Sequence, residues 1–179
     1  MKKILWLLLA IVCLTGCNNL MNTPTKKVEY LLSKYQSNDS EVLKQLDETL
    51  LTDAILTKEE KEKYKTIMQK QYKDLMYNIK NEAIDGKTAV VEVEIDVYDY
   101  AKSITNSEKE LLNNADNFKN STGEVDTIKY NDYKLSNLEK VTDRVKYTIN
   151  FTLSKIDEEW VVDDLTETER MKIHGLYAY

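Results

Sequence analysis

Two stretches of this chain alternate apolar and polar residues too long to fit any element but a strand. Ala89, Val91, Val93, Ile95 and Val97 take every second place in one, with Glu92, Glu94 and Asp96 on the other face. Val145, Tyr147, Ile149, Phe151 and Leu153 do the same in the other, opposite Lys146, Thr148, Asn150 and Thr152. Side chains of an extended chain point alternately to two faces. Each run is therefore half-buried, as in an antiparallel sheet with one dry and one wet face. A one-residue slip in register would turn Glu92, Glu94 and Asp96 inward, and burying unpaired charge is prohibitive. The rest of the fold has to cover the Val91–Phe151 face. Asp85-Gly86 marks a hairpin into the first run, and Tyr77, Ile79 and Ala83 alternate ahead of it on one face. A turn near Asp157-Glu158 leads to a last short strand, Trp160 to Leu165.

Helices come before the strands. Thr23-Pro24 reads as an N-cap and first helical residue, with Val28, Leu31, Leu32 and Tyr35 following at helical spacing. Ser40 is positioned to cap a second helix whose apolar side is Val42, Leu43, Leu46 and Leu50. A third begins near Thr57, with Glu59 and Glu60 in its first turn, where carboxylates favour the helix dipole. Tyr64, Ile67, Met68, Gln71 and Leu75 are its expected buried stripe. Between the two long strands, Ser107 to Asn117 reads as helix, with Leu111, Leu112 and Ala115 on one side. Glu124 to Leu138 reads either as a further helix, with Val125, Ile128, Leu135 and Leu138 as its apolar positions, or as irregular chain. Thr166-Glu167-Thr168-Glu169 fits a capping box for a final helical turn. The expected fold class is α+β: N-terminal helices packed on a curved antiparallel sheet of about four strands.

The first residues are of another kind. Lys2 and Lys3 precede an apolar run from Ile4 to Leu14, eleven residues long. That is short of the about 20 needed to span a bilayer, and it has the size and flanks of a secretory signal. Leu14-Thr15-Gly16-Cys17 resembles the lipobox of bacterial lipoproteins, which are cut before the cysteine once it is lipidated. An ordinary signal peptide with Cys17 incidental is the plainer reading of the same run. The resemblance implies a signal peptide at 1–16, a lipidated N-terminus and short tether at 17–22, and a single domain at 23–179. Two acyl chains on Cys17, palmitate being one such chain, would hold far longer than the single chain that binds only marginally.

Loss of Lys2 and Lys3 with such a leader leaves 23 Lys and Arg against 31 Asp and Glu, a net charge of −8 with His neutral. Nucleic acid binding needs a cationic footprint, so no nucleic acid is expected as partner. Cys13 would leave with the leader and Cys17 would carry the lipid, so no thiol remains for a disulfide, a nucleophile or a metal.

The chain also resembles cystatin-like and nuclear transport factor two-like domains, in the form carried by small lipoproteins of Gram-positive bacteria. The resemblance rests on Leu14-Thr15-Gly16-Cys17, on Thr23-Pro24-Thr25-Lys26-Lys27-Val28, and on the hairpin running into Val97-Tyr98-Asp99-Tyr100. It rests too on Glu159-Trp160-Val161-Val162-Asp163-Asp164-Leu165 followed by Lys172-Ile173-His174-Gly175-Leu176-Tyr177. It implies a fold and a location on the outer face of the cytoplasmic membrane, and no reaction.

Little in the sequence points to chemistry. His174 is the sole histidine; a capping or packing role near the C-terminus is expected over a general base. Glu92, Glu94 and Asp96 read as a solvated sheet face balanced in part by Lys146, not as a calcium site. Asp163-Asp164 is an equally weak metal pair. No cofactor motif is present. Tyr98 and Tyr100 are expected on the polar face of their strand, and Tyr77 and Tyr147 on the core face. The resemblance implies a cone between sheet and helices, in which related isomerases keep a carboxylate base and a tyrosine. Tyr77, Tyr98, Tyr100 and Tyr147 are therefore the candidate ligand-lining residues, and Trp160 a core anchor. The reading favoured is a membrane-anchored, non-enzymatic domain that binds another protein or an envelope component. A binder of a small apolar ligand in the cone, or an isomerase- or hydratase-like enzyme there, is the alternative.

Overall fold

The computed structural model describes residues 22–178. The leader, Cys17 and the proposed tether up to residue 21 lie outside them. Along the chain run α1 (Pro24–Gln36), α2 (Ser40–Thr52), α3 (Lys58–Lys73), β1 (Met76–Asp85), β2 (Thr88–Tyr98) and α4 (Tyr100–Asn113). A 3-10 turn (Ala115–Phe118), α5 (Thr127–Glu139), β3 (Arg144–Ile156), β4 (Glu159–Val162) and α6 (Glu167–Ile173) complete it. The strands form one antiparallel sheet in the order β1-β2-β3-β4. The α+β expectation holds.

Local chemistry explains where the helices begin. The Thr23 side chain accepts a hydrogen bond from Lys26 N, with Pro24 in the first turn of α1. Thr57 and Glu60 form a complete capping box on α3, and Thr166 and Glu169 form another on α6. In α2 the cap is Asp39, whose carboxylate takes Glu41 N, while Ser40 is already helical. A carboxylate at that position suits the helix dipole as well as the orphan N–H.

The register of β2 and β3 matches the alternation. Val91 lies opposite Phe151, Val93 opposite Ile149 and Ile95 opposite Tyr147. Their side chains form one core with Val28 and Leu32 of α1, Ile67 and Met68 of α3, and Leu135 and Leu138 of α5. Each such burial contributes about 1.5–3 kcal/mol. On the wet face Glu94 pairs with Lys146 at 3.1 Å and with Lys80 at 3.4 Å.

Three stretches depart from expectation. In β1 the register shifts between Ile79 and Asn81, leaving Lys80 as an extra residue. A bulge of this kind reverses which side chains face the core. Ala83 therefore falls opposite Val90, off the face of Tyr77 and Ile79, and Glu82 falls opposite Val91. The reversal has a use: the Glu82 carboxylate accepts from Thr25 N at 2.9 Å and Thr25 Oγ1 at 2.6 Å in the first turn of α1.

The segment between β2 and β3 is the second departure. Its first helix begins at Tyr100, not Ser107, because the Asp99 side chain caps it through Lys102 N. Tyr100, Ala101 and Ser107 are its buried residues, whereas Leu112 is exposed. Glu124 to Leu138 resolves into a bridge, Lys119 to Val125, followed by α5. Leu135 and Leu138 are buried as expected, but Val125 and Ile128 are exposed. The last strand is the third: it stops at Val162, short of Leu165.

Candidate functional site

The four candidate tyrosines divide into two groups. Tyr77 lies opposite Ile95, which lies opposite Tyr147, so these three form one row across three strands. The Tyr147 hydroxyl donates to Tyr177 O at 2.7 Å, and its ring meets that of Tyr177 edge-on at 5.7 Å. Tyr98 and Tyr100 stack at 6.0 Å. They do not share a strand face, because β2 ends at Tyr98 and Tyr100 is the first residue of α4. The Tyr100 hydroxyl donates to Ile67 O, and burial holds its pKa well above the usual phenol value. The Tyr98 hydroxyl donates to Asp74 Oδ2 at 2.8 Å, and that carboxylate pushes its pKa up. Lys70 and Arg144 lie over the Tyr98 ring at 4.7 and 5.0 Å, a favourable use of the ring quadrupole. At least three of the four hydroxyls are thus already spent on the protein itself.

The cone face is filled. Val91, Val93, Ile95, Val97 and Phe151 are all 0% exposed, so no water-sized space touches them. At its far end the C-terminal turn is packed tightly. His174 caps α6, and its Nε2 lies 3.0 Å from the Tyr72 hydroxyl. Burial lowers its pKa to about 4, with Arg170 adding to the effect, which keeps the ring neutral at pH 7. This is the packing and capping role expected of it. Among the described residues no three His, Cys, Asp or Glu converge as metal ligands.

Open, mixed surface lies elsewhere, along β4. A groove of about 480 Å³ runs between α1, the start of α2, and the chain from Trp160 to Leu165. Tyr30, Leu31, Trp160, Val162 and Leu165 supply its apolar walls; Lys27, Lys34 and Arg170 supply cations, and Asp163 and Asp164 carboxylates. Lys34 bonds Glu41 and also lies over the Tyr30 ring at 5.2 Å. Lys27 reaches Glu159 at 2.9 Å.

The groove follows an unpaired strand edge, since β4 is last in the sheet. Trp160 N donates away from β3, to Asn22 Oδ1 at 2.9 Å, while Asp163 N donates toward it, to Thr152 O. Backbone groups alternate in direction along an antiparallel strand, so those of Val162 also face the open edge. Trp160 is buried in the core as expected and also closes one wall of the groove, whereas sequence reasoning held no expectation for Tyr30, Lys34 or Arg170. Their one sequence signal was weak: Tyr30 and Lys34 fall four apart on the polar stripe of α1.

Comparison with known proteins bears on the other end of the chain. Residues 1–18 match the family described as the prokaryotic membrane lipoprotein lipid attachment site. No curated protein matches the chain. Among solved structures, one from Bacillus subtilis subsp. subtilis str. 168, designated a lipoprotein and named YcdA, is similar with a TM-score of 0.43 at 12% identity. The match covers 83% of this chain and 46% of that one, so the chain spans about half the length of that protein. No helix among the described residues is long and apolar enough to cross a membrane. The N-terminal match implies a chain held at a membrane by lipid.

Proposed function

We propose that this chain is a lipoprotein anchored through a diacylated Cys17 to the outer face of the cytoplasmic membrane. Its residues 23–179 form one domain, whose task is to bind another protein and not to catalyse. The lipid attachment match at residues 1–18 supports the anchor. Three helices ahead of a four-stranded antiparallel sheet support the cystatin-like and nuclear transport factor two-like reading, with α4 and α5 inserted between β2 and β3. The filled inner face moves the binding surface out of the cone. The observation that carries the binding role is the groove beside β4. It joins an open strand edge to an apolar wall, the combination that takes an extended peptide as an added strand. Backbone bonds to Val162 would supply affinity, and pockets beside Tyr30 and Trp160 selectivity.

Two experiments test this. Cys17→Ser should release the protein from the membrane fraction or leave it unprocessed; unchanged retention of a correctly cleaved serine variant overturns the anchor. For the groove, peptides selected from a random displayed library against residues 22–179 should shift the amide resonances of Val161 to Leu165. Val162→Pro, tolerated on an edge strand, should abolish their binding without unfolding the domain. Peptides that map elsewhere, or that bind the proline variant equally well, overturn the groove.

A further inference from the structure

The first described residue is tied to the sheet by its side chain. Asn22 is already locked in place: its Nδ2 donates to Glu158 O and its Oδ1 accepts from Trp160 N, both at 2.9 Å. These bonds tie the start of the domain to the β3–β4 hairpin. Asp157 and Glu158, the two central residues of that turn, have φ of 48° and 66°, a conformation that costs non-glycine residues energy. Lys155 pairs with Glu158 across it at 2.8 Å. Cys17 lies five residues before Asn22. Even fully extended, five residues reach at most about 18 Å.

The same end of the sheet carries the other hairpin. Asp85 pairs with Thr88 and Thr88 with Ser154, and Lys155 N donates to Lys87 O at 2.8 Å. Both turns and the first turn of α1 thus lie at one pole. Two large apolar side chains are exposed there, Ile84 at 54% and Ile156 at 56%. Single exposed isoleucines mean nothing by themselves; here both sit at the pole where the described chain begins. Lysines near them are matched by carboxylates: Lys155 by Glu158 and Lys27 by Glu159.

We propose that the domain stands end-on at the membrane, with the two-hairpin pole turned to the lipid surface and Ile84 and Ile156 at the headgroup boundary. The occupant of this face is a lipid bilayer and not a second protein. This rests on the anchor at Cys17. It leaves the β4 groove, which opens beside Lys27 and Trp160, at the side of the domain near the surface, within reach of an envelope partner.

The test uses the full lipidated chain, purified and reconstituted into phosphatidylglycerol–phosphatidylethanolamine vesicles that contain a headgroup nitroxide lipid. Because Cys13 leaves with the leader and Cys17 is capped by lipid, an introduced cysteine is the sole thiol to label. Ile84→Cys, Ile156→Cys and Met76→Cys each receive a small fluorophore. Met76 is 52% exposed at the opposite end of β1, about 26 Å from Ile84 by strand rise. The fluorophores at 84 and 156 should be quenched several-fold more than that at 76. Equal quenching at the three positions, or the strongest at 76, overturns the orientation. Protein that does not float with the vesicles overturns the anchor itself, a result visible before any quenching is read.

Discussion

The β2–β3 pair and the α4–α5 segment are neighbours in sequence and hold similar numbers of apolar residues, yet they spend them differently. In the strand pair every expected core position from Ala89 to Val97 and from Tyr147 to Leu153 is buried. In α4–α5, Leu135 and Leu138 are buried while Leu112, Val125 and Ile128 are exposed. A strand has two faces, so one row of charges decides the other row's fate. A helix offers a continuum of faces, and the neighbour it meets decides which one is buried. Here α4 docks through Tyr100 at its start, and α5 through its C-terminal half against α3.

The sharpest way to break this comparison is to cut one core side chain from each region. Phe151→Ala should cost about 3–5 kcal/mol, and Leu135→Ala about 2–5 kcal/mol, in denaturant melts of residues 22–179. If Leu135→Ala proved silent, α5 would not belong to the core. A comparable loss is expected at the seam joining the two regions. Gly175 O accepts from Ala101 N at 2.8 Å, and a Cβ on Gly175 would come within 2.1 Å of Tyr98 O and 2.3 Å of Gln71 Nε2. Gly175 also has φ +69°. Gly175→Ala should therefore cost more than the about 1–3 kcal/mol of backbone strain alone, because the Tyr98 backbone must shift and Gln71, which bridges Tyr98 N and O, must be displaced. Near-wild-type stability would show that the C-terminal turn is loosely held.

The same seam should respond to pH. His174 is held neutral in the folded state, its pKa lowered from 6.5 to about 4 by burial. The unfolded chain takes up the proton first as pH falls. The stability from the neutral ring is thus complete above about pH 6.5 and is lost progressively down to about pH 4. Because the residue as a whole is only partly buried, the expected loss is about 1–3 kcal/mol. Comparing melts of the wild type and His174→Asn across that window isolates it from the carboxylates. Parallel pH profiles would mean that the ring titrates normally. The smallest effects belong to the exposed positions. Leu112→Ala and Thr152→Ala should each stay within about 0.5 kcal/mol, and a larger loss at Leu112 would reveal a packing partner for α4.

The site was less legible than the fold. Glu92, Glu94 and Asp96 could be placed on the wet face from alternation alone, and Lys146 beside them. Tyr100 could not, because whether a chain leaves a strand after Tyr98 depends on Asp99 finding Lys102 N and Asp143 O. Tyr30, Trp160 and Arg170 come from three separate elements, and no local pattern links them. Ala83 was misplaced because the extra Lys80 reverses the faces, and a bulge leaves no periodic trace when the residues around it are polar.

By itself the sequence determined the order of the strands and of the helices outside the β2–β3 connection, the helix starts at Thr23, Thr57 and Thr166, the inward rows of β2 and β3, and the lipid attachment signal. All of these depend on residues within a few positions of each other, or on a charge that cannot be buried. Only the tertiary structure decided that the cone is filled, that four tyrosines divide into two groups, that an open groove runs along β4, and that Asn22 is bound to a hairpin 136 residues away. Those are matters of which surfaces meet, and contact free energy is summed over partners brought together only by folding.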